Sequence, residues 1–361
     1  MPSRTNRRDN PRRRDGRRVC RAAAIGRSAL GALAVFHRHV LVPVMVGLSA
    51  GGRAWLPYGM LAAIVGFSGD TGGQPWPRLA WMAAAVGALA IGGAIGTWVQ
   101  GSPLLLCLAF ALAGILYALT ESAHAIALTM SRFGCFALAL SALQAPLGLF
   151  DLKILAGVTL LAWLISIAWD LAAGAWRPST VPHWRAVMLA LHARELKRVT
   201  FAVATAITIP LAFLASSALG LQKPYWTMLT LVLVLRVDFL SSRRQMLDRF
   251  AGTLLGVMAA GLLAYVAPSH HAMMPALILV ALLRWPAQQQ HGILGVASMT
   301  AFVMLTIEIT AISSGDALPL LEARILDTAL GCVFALVALL LEHLLRRTVL
   351  RIRLTRRAPL I

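Results

Sequence analysis

From Val40 to Leu345 the chain is a succession of apolar runs, with its arginines gathered between alternate runs. A helix on the surface of a soluble domain shows one apolar stripe and one polar face. Runs that are apolar all round belong in lipid, where only helices and closed barrels satisfy every backbone polar group. Hydrophobic residues make up 59% and charged residues 13% of the chain. Soluble domains carry about 25% charged residues, so the deficit points to a bilayer as solvent. The expected fold is therefore an all-α polytopic membrane protein.

The formal net charge of +19 over 361 residues could suggest a nucleic-acid partner, but its placement argues otherwise. Ten arginines between Arg4 and Arg27 load the amino-terminal tail, and Arg346, Arg347, Arg351, Arg353, Arg356 and Arg357 close the chain. Basic residues flanking apolar spans mark cytoplasmic ends, and no basic, aromatic-interleaved groove is readable. The tail reads as a disordered or interfacial arm touching lipid; Arg7-Arg8 only superficially resembles a twin-arginine signal. Cys20, Cys107, Cys135 and Cys332 show neither a disulfide framework nor zinc spacing.

Breaking the runs at Pro, Gly and charged residues predicts about twelve transmembrane helices in two sixes. The first six lie near 35–51, 58–68, 79–99, 104–119, 123–143 and 152–173. The second six lie near 199–219, 225–235, 250–267, 272–283, 293–312 and 325–345. The runs starting at Tyr58, Tyr225 and Ala272 fall short of the roughly 20 residues that cross the hydrocarbon, so they are expected to be broken, tilted or shielded by neighbours. A shift of 167 residues carries Pro57-Tyr58 onto Pro224-Tyr225, His124 onto His291 and Ser131 onto Ser298. Three anchors in one register suggest duplication. Because each half has an even number of spans, the halves should be parallel six-helix repeats about an axis along the membrane normal.

The organisation that follows is a basic arm over 1–34, a first repeat over 35–173, a cytoplasmic linker over 174–198, a second repeat over 199–345 and a basic cytoplasmic tail over 346–361. With both termini inside, the loop holding Arg236, Arg243, Arg244 and Arg249 falls on the cytoplasmic side, as do Arg284 and the linker arginines. The outer loops 268–275 and 313–319 carry no lysine or arginine, while Arg53 is an exception on the outer side.

The stretch richest in information runs from Lys223-Pro224-Tyr225-Trp226 through Thr230 to Arg249, Gly252, Thr253 and Gly256. A later element reads Arg324-x-x-Asp327-Thr328-x-x-Gly331. Together these resemble the fusaric acid resistance, or aromatic acid exporter, family, whose membrane domain has a Tyr-Trp/Thr span followed by Arg-x-x-Gly-Thr-x-x-Gly. The resemblance covers roughly residues 195–345 and is only architectural over the first half. Many members carry a large soluble domain between the halves, where this chain has a short linker.

Each residue has a plain reading beside the functional one. Gly252, Gly256 and Gly331, and Gly87 with Ala83 and Ala84, supply small-residue faces that let helices approach closely in lipid. Arg249 is expected at the cytoplasmic start of its span, binding lipid phosphate or attracting anions through bidentate contacts. Arg324 and Asp327 share a helical face and can pair. Tyr225 and Trp226 are either interfacial anchors or a stacking surface for aromatic substrates. Ionisable groups deep in apolar runs default to functional candidates, here Glu308 and Arg132. Asp151 and Lys153 are expected to pair near the outer surface.

No phosphate-binding loop, metal-spaced cluster or nucleophile elbow is readable, so neither an enzyme nor a cofactor is expected. The reading is a bacterial inner-membrane secondary transporter. The resemblance implies proton-driven export of aromatic or other amphipathic organic acids. Alternatives are a passive organic-anion channel, a major-facilitator transporter (Asp248-Arg249-Phe250-Ala251-Gly252 echoes that family's inner loop) and a membrane scaffold or assembly partner of an efflux system. Expected partners are membrane lipids, a small organic anion, further copies of the chain and a periplasmic adaptor, with no nucleic acid.

Overall fold

A computed structural model describes residues 56–357, leaving out 122, 124, most of 173–195, 222, 237–238, 267–269, 291 and 312–316. The expected arm over 1–34, the first expected span, Arg53, His124 and His291 thus lie outside the described residues.

Among the described residues the ordered segments are helices. They are α1 Leu56–Gly69, α2 Pro75–Val99, α3 Pro103–Glu121, α4 Ala125–Leu143, α5 Leu149–Ala172, α6 Leu196–Ala218, α7 Tyr225–Val234, α8 Phe239–Val266, α9 His270–Gln290, α10 Gly292–Ala311 and α11 Ala317–Arg357. Each coincides with one expected span. Seven described helices are long and apolar enough to cross a membrane.

Local sequence sets the ends. Pro75 and Pro77 open α2, where proline's missing N–H costs nothing and its fixed φ suits the first turn. After α6, Gly220 turns into the left-handed region at φ +65. There Leu221 N–H returns to Ser216 O at 3.1 Å and Gly220 N–H to Ser217 O at 3.1 Å, the double closure that glycine permits at a helix end. Pro210 inside α6 removes one rung of its hydrogen-bond ladder.

Several boundaries differ from expectation: α9 runs on to Gln290 past the expected end near 283, and α11 begins at Ala317 ahead of the expected 325. The span expected to begin at Phe250 starts at Phe239, because Ser241–Asp248 continues the helix through polar residues that hydropathy alone excludes. The last helix runs unbroken to Arg357, so residues 346–357 prolong it.

The outward faces are apolar. Leu104, Leu108, Leu112 and Leu116 line one side of α3, and Ile91, Ile95 and Trp98 one side of α2, all exposed. A water-facing surface carries no such continuous apolar belts; lipid-facing helices require them. Inside, α2 lies along α4, α8 along α10, α1 against α5 and α7 against α11, while α3 packs on α6. Small residues make the closest approaches. A Cβ on Gly92 or Gly96 would strike the α4 carbonyls of Gly134 or Leu138. Gly87, expected to do this work, has nothing within 4 Å of its Cβ position; the packing face of α2 lies a turn further on.

Helix α7 has ten residues, about 15 Å at the α-helical rise. It is buried along its length, so neighbouring helices shield it. The irregular backbone that follows must find internal partners. Ser242 Oγ accepts Arg236 N–H at 2.9 Å and donates to Arg236 O at 3.0 Å, and the Tyr117 hydroxyl donates to Leu235 O.

Candidate functional site

Between the two halves lies a cavity of about 490 Å³. Its walls come from α1 (Met60, Ile64), α4 (Arg132, Phe136), α7 (Trp226, Leu229), α8 (Arg249), α10 (Val296, Thr300) and α11 (Arg324). Small-molecule sites typically span about 300–1,000 Å³. Three arginines on three helices therefore line one space, and among the described residues no carboxylate lines it with them.

The guanidiniums are poorly partnered. Arg324 is 3% exposed, and its Nε and Nη1 have no hydrogen-bond partner. Its Cζ lies 3.6 Å from the centroid of the Trp226 ring, a cation–π contact that partly replaces water. Arg132 Nε and Nη2 and Arg249 Nε are likewise buried without a hydrogen-bond partner. Arg132 Cζ sits 5.9 Å from the Tyr117 ring centroid. Among the described residues no carboxylate lies within ion-pair distance of these three arginines.

The ion pair expected between Arg324 and Asp327 is not made. Asp327 Oδ1 instead accepts the Thr227 hydroxyl at 2.8 Å, and Oδ2 has no partner. Tyr225 and Trp226 are buried rather than set at a lipid boundary. They pack together at 5.1 Å between ring centroids and against Phe136 at 6.2 and 6.4 Å. Arg249 does not begin its helix, since ten residues of α8 precede it.

Thr230 and Thr253 are buried with hydroxyls that have no partner, although neither lines the cavity. Gly252 and Gly256 lie against α10, where a Cβ would come 2.7 Å from Ile293 O or 2.5 Å from Ala297 O. Gly331 faces α7, with Thr227 O 2.9 Å from its Cβ position. The Glu308 side chain lies outside the described residues, although its backbone belongs to α10. Asp151 does not pair with Lys153; its Oδ2 accepts Gly148 N–H at 2.8 Å, since neighbours two apart on a helix do not face each other.

Sequence reasoning missed Phe133, Phe136, Thr227 and Thr300. Phe136 was findable: it stands one helical turn after Arg132 and so shares its face. It also missed a second buried polar centre. Arg78 has its Nε 3.2 Å from Asp70 Oδ1 and its Nη2 2.5 Å from Asp170 Oδ2. Its Nη1 donates to Ser166 Oγ at 2.8 Å, and Ser166 donates to Asp70 Oδ2 at 2.6 Å.

A bundle that is helical among the described residues, with seven helices able to cross a membrane and lipid-suited outer faces, is a multi-pass membrane protein. Residues 211–338 match the family described as fusaric acid resistance protein-like. Both motifs on which the resemblance rests, Lys223 to Gly256 and Arg324 to Gly331, fall wholly inside that match. The uncharacterized protein ORF2 of Neisseria gonorrhoeae is 26% identical over 145 residues, or 40% of this chain and 33% of that protein. The match thus spans about a third of this curated relative's length. No solved structure matches the chain. Arg132 lies outside the family match, so the first half completes the arginine cavity.

Proposed function

We propose that the protein is a secondary transporter that exports amphipathic organic anions, aromatic carboxylic acids among them, across a bacterial inner membrane. One observation carries the proposal: three arginines converge on one cavity between the halves, and among the described residues none of them is ion-paired to a carboxylate. An arginine at the bilayer centre costs about 2.5–3.5 kcal/mol on insertion scales. A bound carboxylate offsets that cost through charge-assisted, bidentate contacts. Phe133, Phe136, Trp226, Met60 and Met299 supply apolar and aromatic surface for the rest of such a molecule.

The proton-motive force supplies the drive. Its electrical part alone favours outward movement of an anion by about 2.3 kcal/mol per charge per 100 mV. Glu308 is the candidate carrier of the inward-moving proton. The two-repeat arrangement is supported by like packing in both halves, α2 on α4 as α8 on α10, and α1 on α5 as α7 on α11. Cytoplasmic termini, self-association through small-residue faces and an adaptor outside the membrane complete the proposal.

Cells preloaded with labelled 4-hydroxybenzoate provide the test. Expressing cells should lose label faster than controls, and collapse of the gradient should abolish the difference. Equal retention across a panel of aromatic and aliphatic acids would remove the export assignment. Three cations without an intervening carboxylate also suit conduction, so purified protein in planar bilayers decides between mechanisms: unitary anion currents would assign a channel.

A further inference from the structure

Arg324 and Asp327 stand three positions apart on α11, the spacing that puts two side chains on one helical face. Both are buried, Asp327 fully. Opposite charges so placed in a poorly polarisable interior attract strongly, yet they do not meet. Arg324 lies over Trp226 at 3.6 Å with Nε and Nη1 unpartnered. Asp327 holds the Thr227 hydroxyl through Oδ1 and leaves Oδ2 unpartnered. Each therefore keeps spare bonding capacity that the other could fill.

The other charged and titratable groups about this pair are few. From α7, Tyr225 interacts electrostatically with both. From α8, Arg249 repels Arg324, and Asp248 abuts Gly292 of α10. From α6, Lys197 and Arg198 lie in the first turn, beside Thr200, which contacts Glu342 far along α11. None of these is an ion-pair partner of Asp327.

We infer that Asp327 is an internal competitor of the bound anion for Arg324, so that the site takes up a proton and an anion together. This rests on the anion-cavity proposal above. With its proton on, the Asp327 carboxyl is neutral, and Arg324 stays over Trp226 and lines the cavity, open to an anion. When Asp327 gives that proton to water, its carboxylate becomes the nearest anion to Arg324. A side-chain rotation then closes the pair, and the bound anion loses one of three cations. Proton and anion binding are linked, and each strengthens the other by the same factor.

The test uses the full chain, purified and reconstituted in nanodiscs, with benzoate as probe, an anion at both pH values used. Calorimetric titration should show binding about tenfold tighter at about pH 5.5 than at about pH 8. Asp327→Asn should bind at both pH values as tightly as the unaltered protein does at the lower. Thr227→Val frees Oδ1 to join the competition and should steepen the loss at high pH, an independent check should the Asn variant fold poorly. Equal benzoate affinity at both pH values in the unaltered protein would overturn the inference and leave the anion cavity standing. Absence of benzoate binding at either pH, in the unaltered protein and both variants, would overturn the cavity proposal and the inference with it.

Discussion

Gly256→Ala and Gly87→Ala add one methyl group each to an apolar helix and should act in opposite directions. At Gly256 the new Cβ would sit 2.5 Å from Ala297 O, 2.7 Å from Thr300 Cβ and 3.1 Å from Ala301 N. Ordinary contact begins near 3.4 Å, so α8 and α10 must part locally by about 0.9 Å. A gap of that size forfeits roughly a quarter to a half of each dispersion contact it opens. Overpacking of this kind costs about 1–3 kcal/mol, against a gain of up to about 1 kcal/mol in helix propensity. With the full propensity gain the net effect is a loss of up to roughly 2 kcal/mol. At Gly87 the Cβ meets nothing within 4 Å, so only the propensity gain remains. Thermal unfolding of the two purified variants, followed by fluorescence-detected size exclusion, should place the Gly256 variant below the unaltered protein and the Gly87 variant at or above it. Because Arg249 stands seven residues before Gly256 on α8, the same displacement should weaken benzoate binding in the first variant only. Equal shifts in both variants would refute the assignment of the close face.

The chain's three lysines report its orientation. With cytoplasmic termini, a membrane-impermeant acylating reagent applied to intact cells should modify Lys153 and Lys223 and spare Lys197; the opposite pattern would invert the topology. Burial pushes the Lys223 ammonium below its ordinary range, so its neutral, nucleophilic form should be present at a lower pH than in an exposed lysine, as a pH series read by peptide mass spectrometry would show. Arg78→Met should lower thermal stability sharply, since removing one partner of a buried ion pair costs about 3–5 kcal/mol. Arg249→Met should leave thermal stability equal or higher while reducing benzoate affinity at least about tenfold, the scale of one charge-assisted contact.

Helix positions were legible in the sequence because lipid imposes a length and an all-round apolar character that few other pressures imitate. The shortness of α7 was legible for the same reason. The start of α8 was not, since Ser241–Asp248 is polar by composition and helical by continuity with the span beyond it. The candidate arginines were legible one at a time as ionisable groups in apolar surroundings. Their convergence was not, because Arg132, Arg249 and Arg324 are brought together by the packing of α4, α8 and α11. The Arg78 centre was missed for a related reason: its partner Asp170 is 92 residues away, beyond any helical spacing rule. Local rules also misfired where a competitor intervened. The i,i+3 spacing of Arg324 and Asp327 permits a pair, but Trp226 and Thr227 on α7 took the two groups instead.

The same protein buries arginine in two ways, and the difference points to what the cavity is for. Arg78 is fully buried and meets Asp70, Asp170, Ser166 and the Gly73 carbonyl, so its guanidinium is paired and hydrogen-bonded inside the fold. That is how a structural cation is held away from water. Arg132, Arg249 and Arg324 sit around open space, with buried nitrogens lacking partners and, among the described residues, no carboxylate within ion-pair distance. Three structural cations would each repel the others and be costly in lipid. If helix packing were the only requirement, leucine or methionine at these positions would meet it at lower cost. The unmet bonding capacity is instead what a transient anion needs, because a site that fully neutralised itself would have nothing left to offer a solute.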